Sequence, residues 1–226
     1  MLGFAILTSI SQVFYANQVQ SVHPFLFTGI SFFITALYFQ SITFKQRIKT
    51  DWLEARKPLL KLNLASAITF MGFYFALKYV EPAIVSSLEM GIGTLAACLM
   101  LIWAVINGAS GITSQISSKM FIGIFASILC GIGAVFCSEY SKQLSDIGWT
   151  SSMILSKRYI GIILISFIFT YDVIIPYFME NIIWILIVTI SGVLIPNYLL
   201  QKGIQYTNTF LVMMSLSFIP VFTFLF

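Results

Sequence analysis

A chain of 226 residues with 59% hydrophobic and only 9% charged side chains is no soluble body, because a soluble surface needs charge on roughly a quarter of the residues. Lipid is therefore the solvent for most of its surface. The net charge of +4 does not point to nucleic acid, since the basic residues sit between apolar runs, as they do in membrane loops.

At about 20 apolar residues per span, the length allows eight to ten helices and leaves no room for a soluble domain. Apolar runs fall at 2–19, 24–44, 59–80, 83–106, 119–138, 159–178, 182–201 and 207–226. Each is too long for a buried strand and lacks period-2 alternation, so a barrel is excluded and the expected class is all-α, a polytopic transmembrane helix bundle. The first run has no basic residues before it and no cleavage site after it, so it reads as a span and not as a removable signal. Gln12 and Tyr15, three apart, share one face of that helix. His23, the only histidine, lies in the short turn that follows.

The one strongly charged stretch, Lys45 to Pro58, is expected to be a loop that sets topology, with Trp52 at the headgroup level. Asn63 and Tyr74 add polar groups to the third span. The fourth span carries Glu89 about six residues in, roughly 9 Å along the helix. A carboxylate near the bilayer centre costs about 2.5–3.5 kcal/mol, so it needs a partner, a proton or a wet cavity. Glu89 is thus a candidate for proton coupling or cation binding; the bland alternative is a protonated packing residue, or one wetted near the outer interface. Gly123, Ser127 and Gly131, spaced by four, read as a stripe for close helix packing. Cys98, Cys130 and Cys137 lie in apolar runs without CxxC spacing and read as buried inert thiols.

The stretch from Ile147 to Leu155 is modestly apolar and short. If it crosses, Lys45, Arg47, Lys49, Arg56, Lys57, Lys61, Lys119, Lys157, Arg158 and Lys202 share one side and only Lys78 and Lys142 the other. The positive-inside rule then favours nine spans, with a short sixth at about 145–157 and the N-terminus cytoplasmic. Asp172, four residues before Pro176, reads as an interfacial anchor ahead of a second acidic site. Asn197 follows Pro196, which frees a helix carbonyl that a cavity can use. The last run reaches Phe226 without a polar tail, so a further helix is expected beyond it.

Ala76-Leu77-Lys78-Tyr79 followed by Pro82-Ala83-Ile84-Val85-Ser86-Ser87-Leu88 resembles the end of helix three and the start of helix four in the drug/metabolite transporter superfamily, EamA type. Gly203–Thr207 up to Phe218–Phe222 is similar to the same signature in the family's second half. Lys119–Phe136 resembles helix five, and Trp149–Arg158 the end of helix six. Helix six is short, helix ten is absent, and Gly93-Thr94 stands where the family often has proline. The resemblance implies two inverted five-helix repeats, here 1–138 with helices 1–5 and 139–226 with a short helix 6 and helices 7–9, the second repeat incomplete. It implies a secondary transporter, an exporter of small metabolites such as amino acids, nucleosides or amines across the inner membrane, with or without proton coupling. Glu89, Gln12, Tyr15, Tyr74, Trp149, Asn197 and Tyr198 are the residues expected to bind substrate or proton. The alternative is a non-transporting membrane fragment or accessory subunit.

The chain has no HExxH, GxSxG or GxxxxGK[ST] motif, so no enzyme chemistry, metal site or cofactor is expected and transport would run on a gradient. Membrane lipid and a small-molecule substrate are the expected partners, a homodimer is open, and nucleic acid is not a partner. With the N-terminus inside, cysteines placed in 45–58 are expected to be shielded from an impermeant thiol reagent in intact cells; labelling there inverts the topology.

Overall fold

The computed structural model describes residues 2–19, 22–44, 52–90, 118–172, 174–207 and 209–226, and these hold helices and turns with no strand among them. In chain order they are α1 Leu2–Gln18, α2 Pro24–Thr43, α3 Trp52–Leu77, α4 Pro82–Glu89, α5 Ser118–Asp146, α6 Ser151–Arg158, α7 Ile160–Thr170 and α8 Ile174–Val188. A π-helical segment, Thr189–Leu194, then leads into α9 Ile195–Tyr206, α10 Thr209–Leu216 and α11 Ile219–Leu225. Five stretches are long and apolar enough to cross a membrane: Pro24–Thr43, Trp52–Leu77, Lys119–Asp146, Ser151–Thr170 and Asn181–Tyr206. The expected all-helical membrane class is what the chain adopts.

Proline sets several starts. Pro24 and Pro82 sit in the first turns of α2 and α4, where the missing N–H costs nothing and the fixed φ suits a helix. Trp52–Pro58, expected above as loop, is instead the beginning of α3. Leu53, Glu54, Ala55, Arg56 and Lys57 are good helix formers, and 26 residues reach roughly 39 Å, so the polar end projects beyond about 30 Å of hydrocarbon. The rest of that stretch, 45–51, lies outside the described residues, as does 91–117 with Gly93, Thr94 and Cys98.

α3 and α5 form the antiparallel spine of the bundle. Gly123 faces Tyr79 and Val80, Gly72 faces Ala126 and Cys130, Gly133 faces Ala65 and Thr69, and the Lys61 ammonium lies 5.4 Å from the centre of the Tyr140 ring. The small residues let the two backbones approach; a Cβ on Gly131 would come within 2.6 Å of the Glu89 carbonyl oxygen. The expected packing role of the Gly123–Gly131 stripe is thus what the structure uses.

The nine-span topology is corrected by the turn at 147–150. Gly148 has φ 92°, its N–H donates to the Ser145 carbonyl, and the Trp149 N–H donates to the Leu144 carbonyl, both at 3.0 Å. This is a Schellman stop with glycine in the left-handed position and Trp149 packed in one cluster with Leu144. Two residues on, the Thr150 hydroxyl caps the next helix by accepting from the Met153 N–H at 3.4 Å. So Ile147–Leu155 is no crossing of its own: its first half is a turn and its second half opens the single span 151–170.

That span is interrupted only at Tyr159. In an unbroken helix the Gly161 N–H would bond the Lys157 carbonyl. Here the Asn63 side chain enters the rung, its Nδ2 donating to the Lys157 carbonyl (3.0 Å) and its Oδ1 accepting from the Gly161 N–H (2.9 Å). A side chain inserted into the ladder is a recognised cause of a helix bend.

The ends of the bundle sort the charges. Trp52 and Trp149 are in ring contact, and the Lys142 ammonium, 3.3 Å from Asp146, also donates to the Gln205 carbonyl, so the beginning of α3, the 147–150 turn and the end of α9 share one end. Arg56, Lys57, Lys61, Lys142, Lys157 and Lys202 lie in that half. Lys119 was expected with them, but the antiparallel α3–α5 pairing puts it with Lys78 at the opposite end. Asp172 is exposed at that opposite end, in the place of an interfacial anchor. Arg158 belongs to neither end and is buried between them.

At the Lys78 end His23 has its pKa held below the ordinary histidine value, first by partial desolvation and then by the Lys78 charge, with Asp172 acting the other way. As the single histidine it titrates without overlap by NMR. The expected midpoint lies under about 6.5, rises in Lys78→Gln and falls further in Asp172→Asn. A depressed folded value means the contribution to stability is present above the unfolded pKa and is lost as pH falls through the folded one. A midpoint at or above 6.5 contradicts the meeting of the three turns.

Candidate functional site

Where α1, α3, α4, α5, α6 and α9 converge they leave a cavity of about 80 Å³. α1 contributes Phe4, Thr8, Ser11, Gln12 and Tyr15. α3 adds Thr69, Phe70, Phe73 and Tyr74, and α4 ends on the wall with Glu89 and Met90. Cys137 and Ser138 of α5, Arg158 of α6, and Gly192, Pro196, Asn197 and Leu200 close the far side.

Each group is placed by local geometry. Gln12 and Tyr15 do share a face: the Gln12 Oε1 accepts from the Thr223 hydroxyl at 3.3 Å, and the Tyr15 ring lies 5.0 Å from that of Tyr74 and 4.8 Å from that of Phe27. The second wall is built around Pro196. Proline has no N–H for the carbonyl four residues back, which belongs to Gly192. The chain widens there into the π-helical segment, with the Ile195 N–H reaching the Ile190 carbonyl, and single π turns recur at functional sites. Gly192 is required for close approach, since a Cβ would fall on the Ser11 hydroxyl. Asn197 turns its Nδ2 to the Val193 carbonyl at 2.8 Å.

Glu89 is 8% exposed and its carboxylate is hydrogen-bonded to the Cys130 thiol. Gly131 brings α5 against the Glu89 backbone, which fixes the carboxylate at the level of the Gly72–Cys130 contact. Arg158 is 2% exposed. Its Nε donates to the Ser66 hydroxyl at 2.8 Å, and Ser66 in turn lies 3.4 Å from the Cys137 sulfur. The guanidinium rests 5.3 Å from the centre of the Phe70 ring and 5.8 Å from that of Tyr159, which stabilises a desolvated cation. Among the described residues its Nη1 is buried without a hydrogen-bond partner. Among the described residues neither Glu89 nor Arg158 makes an ion pair.

The chain matches no protein-family model, no curated protein and no solved structure. The reading of the cavity therefore rests on its own geometry and chemistry.

Of the seven residues singled out from the sequence, Glu89, Gln12, Tyr15, Tyr74 and Asn197 come together on the cavity wall. Trp149 does not: it is buried at the end of the bundle among Ala55, Leu62, Leu144, Met153 and Ile154 and touches Trp52. Tyr198 turns to α2 and stacks on Phe39, with Lys202 over its ring. Arg158 was missed, because Lys157-Arg158 read as loop charges between two spans. The stop and start signals at Gly148 and Thr150 place it eight residues into a helix instead. Among the described residues no group of three or more His, Cys, Asp and Glu side chains is placed to hold a metal ion.

Replacing Ser66 by Ala removes the acceptor of the Arg158 Nε in a buried place. Thermal unfolding in detergent is expected to show a loss of about 1–3 kcal/mol; unchanged stability contradicts the Arg158–Ser66 bond.

Proposed function

We propose that the chain is a secondary transporter of a small metabolite, an EamA-type carrier in which the cavity is the solute site. The observation that carries this reading is the pair Glu89 and Arg158: two buried groups of opposite character on the walls of one cavity, neither in an ion pair among the described residues. Intramembrane ionisable groups are costly, and they mark solute and ion pathways. The π-helical wall at Gly192–Pro196 supports it, as interrupted helices line the sites of carriers. A division into two inverted repeats belongs to the same reading, with one repeat rocking against the other around the site.

Orientation in the inner membrane follows from charge. Six basic residues of the described set lie in the half with the 147–150 turn and two at the other end, so the first half is assigned to the cytoplasm. α1 begins in that half, with Phe4 in one cluster with Ile204 near the end of α9, so on this reading the N-terminus is assigned to the cytoplasm as well. Glu89, with its carboxylate hydrogen-bonded to the Cys130 thiol, is assigned the coupling role.

Reconstituted in liposomes, the protein is expected to move a member of a metabolite panel down an imposed pH gradient, with Glu89→Gln transporting but uncoupled from pH. Absence of flux for every solute by a folded preparation overturns the carrier reading and leaves a non-transporting membrane subunit. Fully coupled flux in Glu89→Gln overturns the coupling role alone.

A further inference from the structure

We infer that residues 157–161 are a two-state hinge, about which α7 swings with the outer turns of α2 while α6 stays fixed to the α3–α5 spine. The inference is independent of the carrier reading, and its test reads no transport.

The first support is that the hinge has two ways to satisfy the same backbone groups. In one, seen here, the Asn63 Nδ2 donates to the Lys157 carbonyl at 3.0 Å and its Oδ1 accepts from the Gly161 N–H at 2.9 Å. The same Nδ2 also donates to the Leu59 carbonyl of its own helix at 3.0 Å. If the amide withdraws, the Gly161 N–H meets the Lys157 carbonyl directly, as in any helix, and the Nδ2 keeps Leu59. Only the Asn63 Oδ1 gives up its partner, and that side chain is half-buried. Two patterns of nearly equal cost are what a two-state element requires. The bend itself sits at Tyr159, whose φ of −103° and ψ of 3° depart from the helical values of about −63° and −42°.

The second support is unmet polarity along this span. Among the described residues the Tyr159 hydroxyl, the Ser166 hydroxyl and the Arg158 Nη1 are sealed from solvent without a hydrogen-bond partner. The hydroxyls of Thr28, Thr35, Thr43 and Thr170 all donate to the carbonyl four residues back. Ser166 has the same choice and does not take it. Buried polar groups are nearly always paired, so a span that leaves three of them unmet gains by moving.

The third support is how the two halves are attached. α6 is fixed at both ends: the Ser151 hydroxyl donates to the Gln205 Oε1 at 2.7 Å, and Arg158 donates to Ser66 of the spine. α7 is instead fastened to α2. A Cβ on Gly29 would lie 2.8 Å from the Ser166 Cβ, and the Phe25 and Phe169 rings are 6.0 Å apart. The Ser31 Oγ, 2.8 Å from the Thr189 Oγ1, ties the same turns of α2 to the π-helical segment, whose Gly192 lies on the cavity wall. A swing of α7 therefore reaches the cavity through α2.

The test measures distances between spin labels on cysteine pairs in the full chain, in nanodiscs and without native cysteines. Exposed Tyr171, at the outer end of α7, is paired with exposed Phe121 on the spine; Leu60 with Phe121 is the control within the spine. The 11 residues of α7 are roughly 16 Å long, so a change of about 20° in the bend moves its end by about 6 Å. The wild-type chain is expected to show two 121–171 distances and one 60–121 distance. Asn63→Ala leaves only the direct rung. Gly161→Pro removes the N–H and blocks that rung, and a Cβ there meets nothing nearer than 3.5 Å. Each variant is expected to keep one 121–171 distance, and not the same one. A single wild-type distance, variants that keep the same distance or both, or a control pair that splits as well overturns the inference. Should either variant fail to fold, the wild-type distribution decides.

Discussion

The organisation of this bundle turns on one guanidinium. Arg158 is held away from both ends of the molecule, in surroundings where an unpaired charge is costly. What makes its position tolerable is a hydroxyl at the Nε, two aromatic faces and a place on the cavity wall. Ser66 and Phe70 both come from α3, so the helix with the longest shared interface is also the one that receives the cation. The Ser66 hydroxyl passes the interaction on to Cys137 of α5, which ties Arg158 to the antiparallel spine.

Three breaks in regular helix deliver the groups to that place. The Gly148 stop and the Thr150 cap start the 151–170 span at the correct end, so that Arg158 falls two turns inside. The Asn63 amide then carries the ladder across Tyr159, next to the arginine, and keeps the span together where it bends. Pro196 and the π-helical segment open the opposite wall, and Gly192 lets it close on Ser11. Each break uses a residue whose backbone or side chain supplies what the helix lacks: a left-handed φ, an amide with both a donor and an acceptor, a missing N–H.

Much of the class was legible in the sequence, because long apolar runs with few charges have one solution in lipid. The small stripe on α5 was legible too, since spacing by four puts Gly123, Ser127 and Gly131 on one face. The polar set Gln12, Tyr15, Tyr74, Glu89 and Asn197 was found by asking which polar groups lie inside apolar runs. The same question failed for Arg158, because the apolar run was cut at the Lys157-Arg158 pair and the pair became a loop. Charge counting then supported the cut. It rewarded any topology that gathers basic residues on one side, and the folded chain gathers them by another route, with α5 antiparallel to α3 and Lys119 at the far end. Trp149 and Tyr198 misled because an aromatic in an apolar run is as often packing as lining; only the neighbours, Trp52 and Phe39, decide it.

The claim on which the rest depends is that residues 151–170 cross once, from the Trp52 end to the His23 end. Single cysteines at Lys61, Asp146, Lys78 and Asp172, in a background without native cysteines, can be labelled with an impermeant reagent in right-side-out and inverted vesicles. The account requires 61 and 146 to react from one face and 78 and 172 from the other. Reaction of 146 from the same face as 78 contradicts it, and with it the burial of Arg158 in the cavity.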